Sequence, residues 1–147
     1  MSTIKVNTID SKSGSDISVL QALDMADKAI KQAEFTDFST TLNTVAASGA
    51  TETLNCETAN AHDVTLTAAC TLTFSNPPAS GKFGAFSLLL RQNGTGTYAT
   101  TWPASVDWDT GTAPTLVTDA NSVSNFVFWT VDGGTIWHGA LVSSDSK

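Results

Sequence analysis

Apolar residues follow different rhythms in different parts of the chain. Ile4 and Val6 alternate with polar neighbours, the period of a strand, and Ile9 follows just beyond them. Residues 11–15 (SKSGS) then mark a turn or joint. An alternating arm this short cannot stabilise itself. Residues 1–17 are therefore expected to add extended segments to a partner sheet, in the chain's own oligomer or in a docking protein. From Ser18 the rhythm changes. Ser18 followed by Gln21 is a capping-box pattern. Val19, Leu23, Ala26, Ile30 and Ala33 then recur at alternating spacings of four and three, a heptad seam. Asp24 to Lys28 and Asp27 to Lys31 are acid-first pairs four residues apart, worth a few tenths of a kcal/mol each. The spacing predicts a helix over residues 18–35. Isolated helices of this length are marginal, so the seam must pack against something. Small Ala26 and Ala33 permit close approach of neighbouring copies, so a coiled-coil neck in a homotrimer is expected. Packing onto the chain's own β domain is the alternative.

Residues 36–50 are rich in Ser, Thr and Ala without a heptad, and read as a linker that packing along the assembly orders in part. Residues 51–147 read as the β domain. Alternation runs over 53–57 and again over 64–74, as one strand or as two broken near Ala68 and Ala69. Residues 76–81 (NPPASG) form a loop. Residues 83–91 are apolar on both faces, as a central buried strand would be. Asn93-Gly94 is a hairpin signal, with residues 98–102 as the returning strand. Residues 126–131 form a second two-faced strand, which Asp132-Gly133-Gly134 turns back into 135–142. No internal repeat is evident at solenoid length. The expected fold is mainly β: an arm, a short helix and a C-terminal antiparallel sandwich-like domain, with a trimeric β fold as the other form.

Composition sharpens this picture. Charged residues make up only 14% of the 147 positions, against about 25% in ordinary globular domains. A surface built from Thr, Ser, Asn and Gly suits extracellular or virion β proteins better than cytosolic enzymes. The net charge is −7, and all of it lies beyond residue 33. Phosphate recognition needs a basic face, so nucleic acid is not an expected partner. Neither is an anionic membrane surface. No apolar run is long enough to span a bilayer, and the start lacks the apolar core of a signal peptide. Assembly in the cytoplasm of the producing cell is the expectation.

Chemistry is sparse. The catalytic and phosphate-binding motifs G-x-S-x-G, G-x-G-x-x-G, Walker loop and H-E-x-x-H do not occur. No catalytic residue, cofactor or metal site is expected. His62 and His138 show no metal spacing. His62 is expected in a loop at a strand start, with a pairing to Asp63 as the other possibility. Asp107 to Gly111 resembles the opening of a calcium loop without its closing acid, so an Asp-capped turn is expected. Asn93-Gly94-Thr95 fits the glycosylation pattern, but without a secretory route it is only a turn. Cys56 and Cys70 lie among alternating apolar residues and are expected as reduced, buried thiols. A disulfide stays open if their strands are neighbours. Trp129 and Trp137 are expected in the core. Trp102 and Trp108 bracket a proline loop and, with Tyr98, offer a possible ligand platform for stacking on a sugar.

The runs WPASVDW (102–108), GTAPTL (111–116), Phe126-Val127-Phe128 and DGGTIW (132–137) resemble the C-terminal segment of tailed-bacteriophage fibre and virion structural proteins. The opening STIKVNTI (2–9) is similar to the particle-anchoring starts of such proteins. This resemblance implies a homotrimer with an N-terminal attachment segment, a helical neck and a β-rich distal head. The partner would be another virion protein of the capsid, baseplate or tail. The chain has no shaft, so a short tail fibre, a baseplate appendage and a head fibre all fit. The alternative function is recognition of a host-surface glycan by a tail module.

If the seam holds the oligomer, Leu23→Asp loosens it. Burying Leu23 contributes about 1.5–3 kcal/mol per copy, and three carboxylates at one axis must protonate or separate. Light scattering should show the mass falling for Leu23→Asp and unchanged for Asp27→Ser.

Overall fold

The computed structural model describes residues 38–146. The expected arm (Ile4, Val6, Ile9) and the heptad positions Val19, Leu23, Ala26, Ile30 and Ala33 lie outside the described residues. The described chain is mainly β, with one short 3-10 turn at Asp109–Gly111.

Six strands alternate between two sheets. β1 (Leu42–Val45), β3 (Ala61–Leu66) and β5 (Gly84–Gln92) lie side by side in one sheet. β2 (Thr51–Asn55), β4 (Cys70–Ser75) and β6 (Thr100–Thr101) do so in the other. All the neighbours among these six are parallel. The chain thus winds as three coils of a short β-solenoid, each coil giving one strand to each sheet. Asn43 of the first coil meets His62 of the second, 19 residues on, and Thr53 meets Thr73, 20 residues on. The third coil is longer because the loops 76–83 and 93–99 are inserted into it. Beyond it come β7 (Val106–Trp108), β8 (Val123–Thr130) and β9 (Trp137–Ser143). β8 and β9 form an antiparallel pair beside β5, and β7 closes the edge parallel to β9. The larger sheet has the order β1-β3-β5-β8-β9-β7.

Several expectations are corrected. The domain is not an antiparallel sandwich, because coil-to-coil pairing is parallel. Alternation reports which face a side chain takes and is silent about which strand lies beside it. A solenoid period is present, carried by inward apolar and outward polar rows. Val45, Val64 and Leu90 share one inward row, while Thr51, Thr71 and Thr101 share one outward row. The expected linker contains β1, whose inward side chains are only Asn43 and Val45. So few apolar positions leave little hydropathic signal. Lastly, Asn93-Gly94 does not make a β5–β6 hairpin, since β6 lies in the other sheet. The Asn93 side chain caps the turn by accepting from the amides of Thr95 (2.8 Å) and Gly96 (3.2 Å). The buried Gln92 amide then grips the backbone of Tyr98 on both sides, at 2.8 and 3.1 Å. This carries the chain across to the second sheet. The 64–74 stretch is two strands, broken at 67–69.

The core lies between the sheets. Leu54, Val64, Leu66, Leu72, Leu88 and Phe128 are fully buried there. Among the described residues the sheets are unequal, with six strands against three, so the inner faces of β8 and β9 meet no described strand. Aromatic side chains cover them. The Trp102 ring, just after β6, lies 4.8 Å from Phe126, 5.1 Å from Trp108 and 5.7 Å from Phe128. Pairs of this kind add about 0.5–1.5 kcal/mol beyond area burial. Gly139 is required opposite Trp108, because a Cβ there would stand 2.9 Å from the indole Cζ3 and 2.8 Å from Val106.

His62 is not a loop residue. It sits in β3, fully buried, 3.2 Å from the Asn43 amide and edge-on to Phe86. Asp63 faces the other way and pairs with Arg91. Burial lowers the imidazole pKa from 6.5, opposed by a hydrogen bond to the Ala59 backbone. The folded chain therefore resists a proton that the unfolded chain accepts, so stability present above pH 6.5 is lost as the pH falls below it. One proton sets a ceiling of about 1.4 kcal/mol per pH unit. Urea midpoints should fall between pH 7 and pH 5 for the native chain, and the slope should flatten in His62→Gln.

Candidate functional site

Successive coils turn at the same end of the molecule, and their corners leave a cleft. One wall is the β2–β3 corner, Cys56, Glu57 and Asn60. The other is the β4–β5 loop with Asn76, Pro77 and Pro78, running into Phe83. The cleft holds about 530 Å³. Phe86 and Trp137 form its floor, both almost fully buried, while Phe83 stands 70% exposed at the rim.

Hydrogen bonds brace the walls. Asn55, the last residue of β2, accepts through Oδ1 from the Glu57 amide and from the Asn76 side chain, both at 3.0 Å. One side chain thereby ties two coils together. Asn60 donates to the Ala85 carbonyl at 3.2 Å, and its own carbonyl receives the Ser87 amide at 3.0 Å. The prolines sit so close that two neighbouring positions must be glycine. A Cβ on Gly84 would lie 2.3 Å from Pro78, and one on Gly134 would lie 2.9 Å from Pro77. Gly134 belongs to the β8–β9 turn, which Asp132 organises. Its carboxylate accepts from the Ile136 amide (3.1 and 3.2 Å) and the Thr130 hydroxyl (2.9 Å). Those bonds, the Ile136 amide first, hold the carboxyl below its usual pKa.

The lining side chains bring together two amides, one carboxylate, a thiol and aromatic rings. Glu57 is the only carboxylate among the lining residues, so a two-carboxylate hydrolysis has no second member there. Burial pushes the half-buried Cys56 thiol up to about 11, which leaves almost no thiolate near neutral pH. Burial also raises Cys70, against a hydrogen bond from Ser48. Both cysteines are free. Among the described residues no three His, Cys, Asp or Glu side chains cluster to hold a metal. An exposed aromatic edge with two amides and a carboxylate can stack on a flat apolar face and bond hydroxyl groups.

The expected platform does not assemble. Trp108 is buried, and Trp102 and Tyr98 pack partly buried against the core. The indoles are used up beneath the larger sheet, where the smaller one does not reach. Trp137 is in the core as expected. Trp129, by contrast, points to the outer face and stacks on His138 at 5.5 Å. Asp107 and Asp109 are exposed, and Asp107 lies 3.9 Å from the His138 ring. The sequence reading missed Phe83, Asn60, Asn76 and Glu57. The available signal was an aromatic residue directly after the proline loop 76–81. Compared with known proteins, the chain matches no family profile, no curated protein and no solved structure.

Proposed function

We infer that the chain is a structural subunit of a bacteriophage particle, a small trimeric fibre or decoration protein with the β-solenoid as its distal head. The observation that carries this reading is where the phage-like residues fall. Trp102, Trp108, Phe126, Phe128 and Trp137 are the side chains that cover the larger sheet's inner face. Asp132, Gly133 and Gly134 are the turn that joins β8 to β9. The resemblance thus runs through residues that a shared scaffold needs. A head poor in charge and faced with threonine fits a structural role. The N-terminal segment is the attachment element, docking on a capsid, baseplate or tail protein, and the heptad seam gathers the copies. Deleting residues 1–17 should leave a soluble, cooperatively folding head that is missing from purified particles by mass spectrometry. Normal incorporation of the truncated chain would rule the arm out as the anchor. Absence of the full chain from particles would rule out the assignment itself.

The corner cleft favours a second reading, recognition of a neutral saccharide on the host surface. Phe83 offers a ring for stacking, and Asn60, Asn76 and Glu57 offer bonds to hydroxyls. Lys82 is the only basic residue in the two segments that form the cleft, and the chain is acidic, which disfavours anionic sugars. Phe83→Ala should abolish retention on neutral oligosaccharide arrays while leaving the urea midpoint unchanged. Equal retention by native and variant chains would assign the sugar to another surface.

A further inference from the structure

The three coils enter their larger-sheet strands at the same end of the molecule, and the residues just ahead of those strands are counterparts. Leu42, Ala61 and Ser87 are aligned across β1, β3 and β5. Phe38, Glu57 and Phe83 each stand four residues ahead of one of them. The outer two are exposed aromatics, Phe38 at 72% and Phe83 at 70%. The middle one is an exposed carboxylate with no ion-pair partner among the described residues. The corner cleft takes in Phe83. A second depression of about 290 Å³ takes in Phe38 and the hydroxyls of Ser39, Thr40 and Thr41. Glu57 and Asn60 line both, so the two depressions adjoin.

We propose that the two depressions are adjoining subsites for one linear, neutral oligosaccharide laid across the coils, with Phe83 stacking on one sugar and Phe38 on another. This rests on the saccharide reading of the corner cleft and extends it to a longer ligand. The strands that the two phenylalanines precede lie two sheet spacings apart, about 10 Å, a span for a chain of sugars rather than one ring. Between the aromatic ends lie Glu57, Asn60 and the hydroxyls of residues 39–41, which accept from and donate to sugar hydroxyls. Among the described lining residues neither depression has a Lys or Arg, so an anionic chain meets no counter-charge. The floor of Phe86 and Trp137 belongs to the corner cleft alone. That cleft is therefore the stronger subsite and holds the shorter ligands.

Calorimetric titration of the full chain with ladders of malto-, cello- and N-acetylchito-oligosaccharides, from disaccharide to hexasaccharide, tests this. For a ladder that binds, affinity should rise by about tenfold or more with length and level off once both depressions are filled. Phe38→Ala should bind the disaccharide as the native chain does and lose that rise. Phe83→Ala should lose binding at every length. The unchanged disaccharide affinity also checks that Phe38→Ala leaves the corner cleft intact. Three results would overturn the second subsite and leave the saccharide reading of the cleft standing: a native affinity that is flat with length, a rise that survives in Phe38→Ala, or an equal loss at all lengths in that variant. A native chain that binds none of the ladders would overturn both.

Discussion

Leu42, Ala61 and Ser87 stand in one row, and Thr51, Thr71 and Thr101 in another. This coil-to-coil register is the constraint on which the rest of the described domain depends. A parallel ladder places each residue beside its counterpart one coil on, so inward and outward faces stay in phase without a repeated sequence. A slip of one residue would turn Val64, Leu66, Leu54 and Leu72 outward together. Backbone bonds carry the register past the strand ends into the corners, as between the Ser48 amide and the Thr65 carbonyl, or the Cys56 amide and the Ser75 carbonyl. The side chain of Asn55 does the same from coil to coil.

The winding also creates the domain's main packing problem. After three coils the chain adds three strands to one sheet and none to the other. Inner faces of β8 and β9 must still be shielded, and large flat side chains do this with few residues. Hence Trp102 and Trp108 lie against Phe126 and Phe128 and are lost as binding surface. The same imbalance leaves a broad outer face on the larger sheet.

The cleft is a product of the corners rather than of any motif. Glu57 and Asn76 lie far apart in sequence, and coil stacking brings them to one end of the molecule. Proline loop 76–81 was legible as a loop, and Phe83 as the start of a strand. That they flank a cleft was not, because the other wall comes from the preceding coil. Trp102 misled for the same reason: a tryptophan beside a proline loop reads as exposed unless the missing fourth strand of the second sheet is known.

By itself the sequence determined the β character, the strands after residue 51 other than β7 to within a few residues, the β8–β9 turn and the burial of Trp137. These depend on local alternation, turn residues and side-chain size, which any pairing partner leaves unchanged. Tertiary structure alone decided that neighbouring coils run parallel, that residues 42–45 form a strand, that His62 is buried and that the indoles close the core. Each depends on which strand lies beside which, and that choice is settled by burying the whole core at once, where no local pattern reaches.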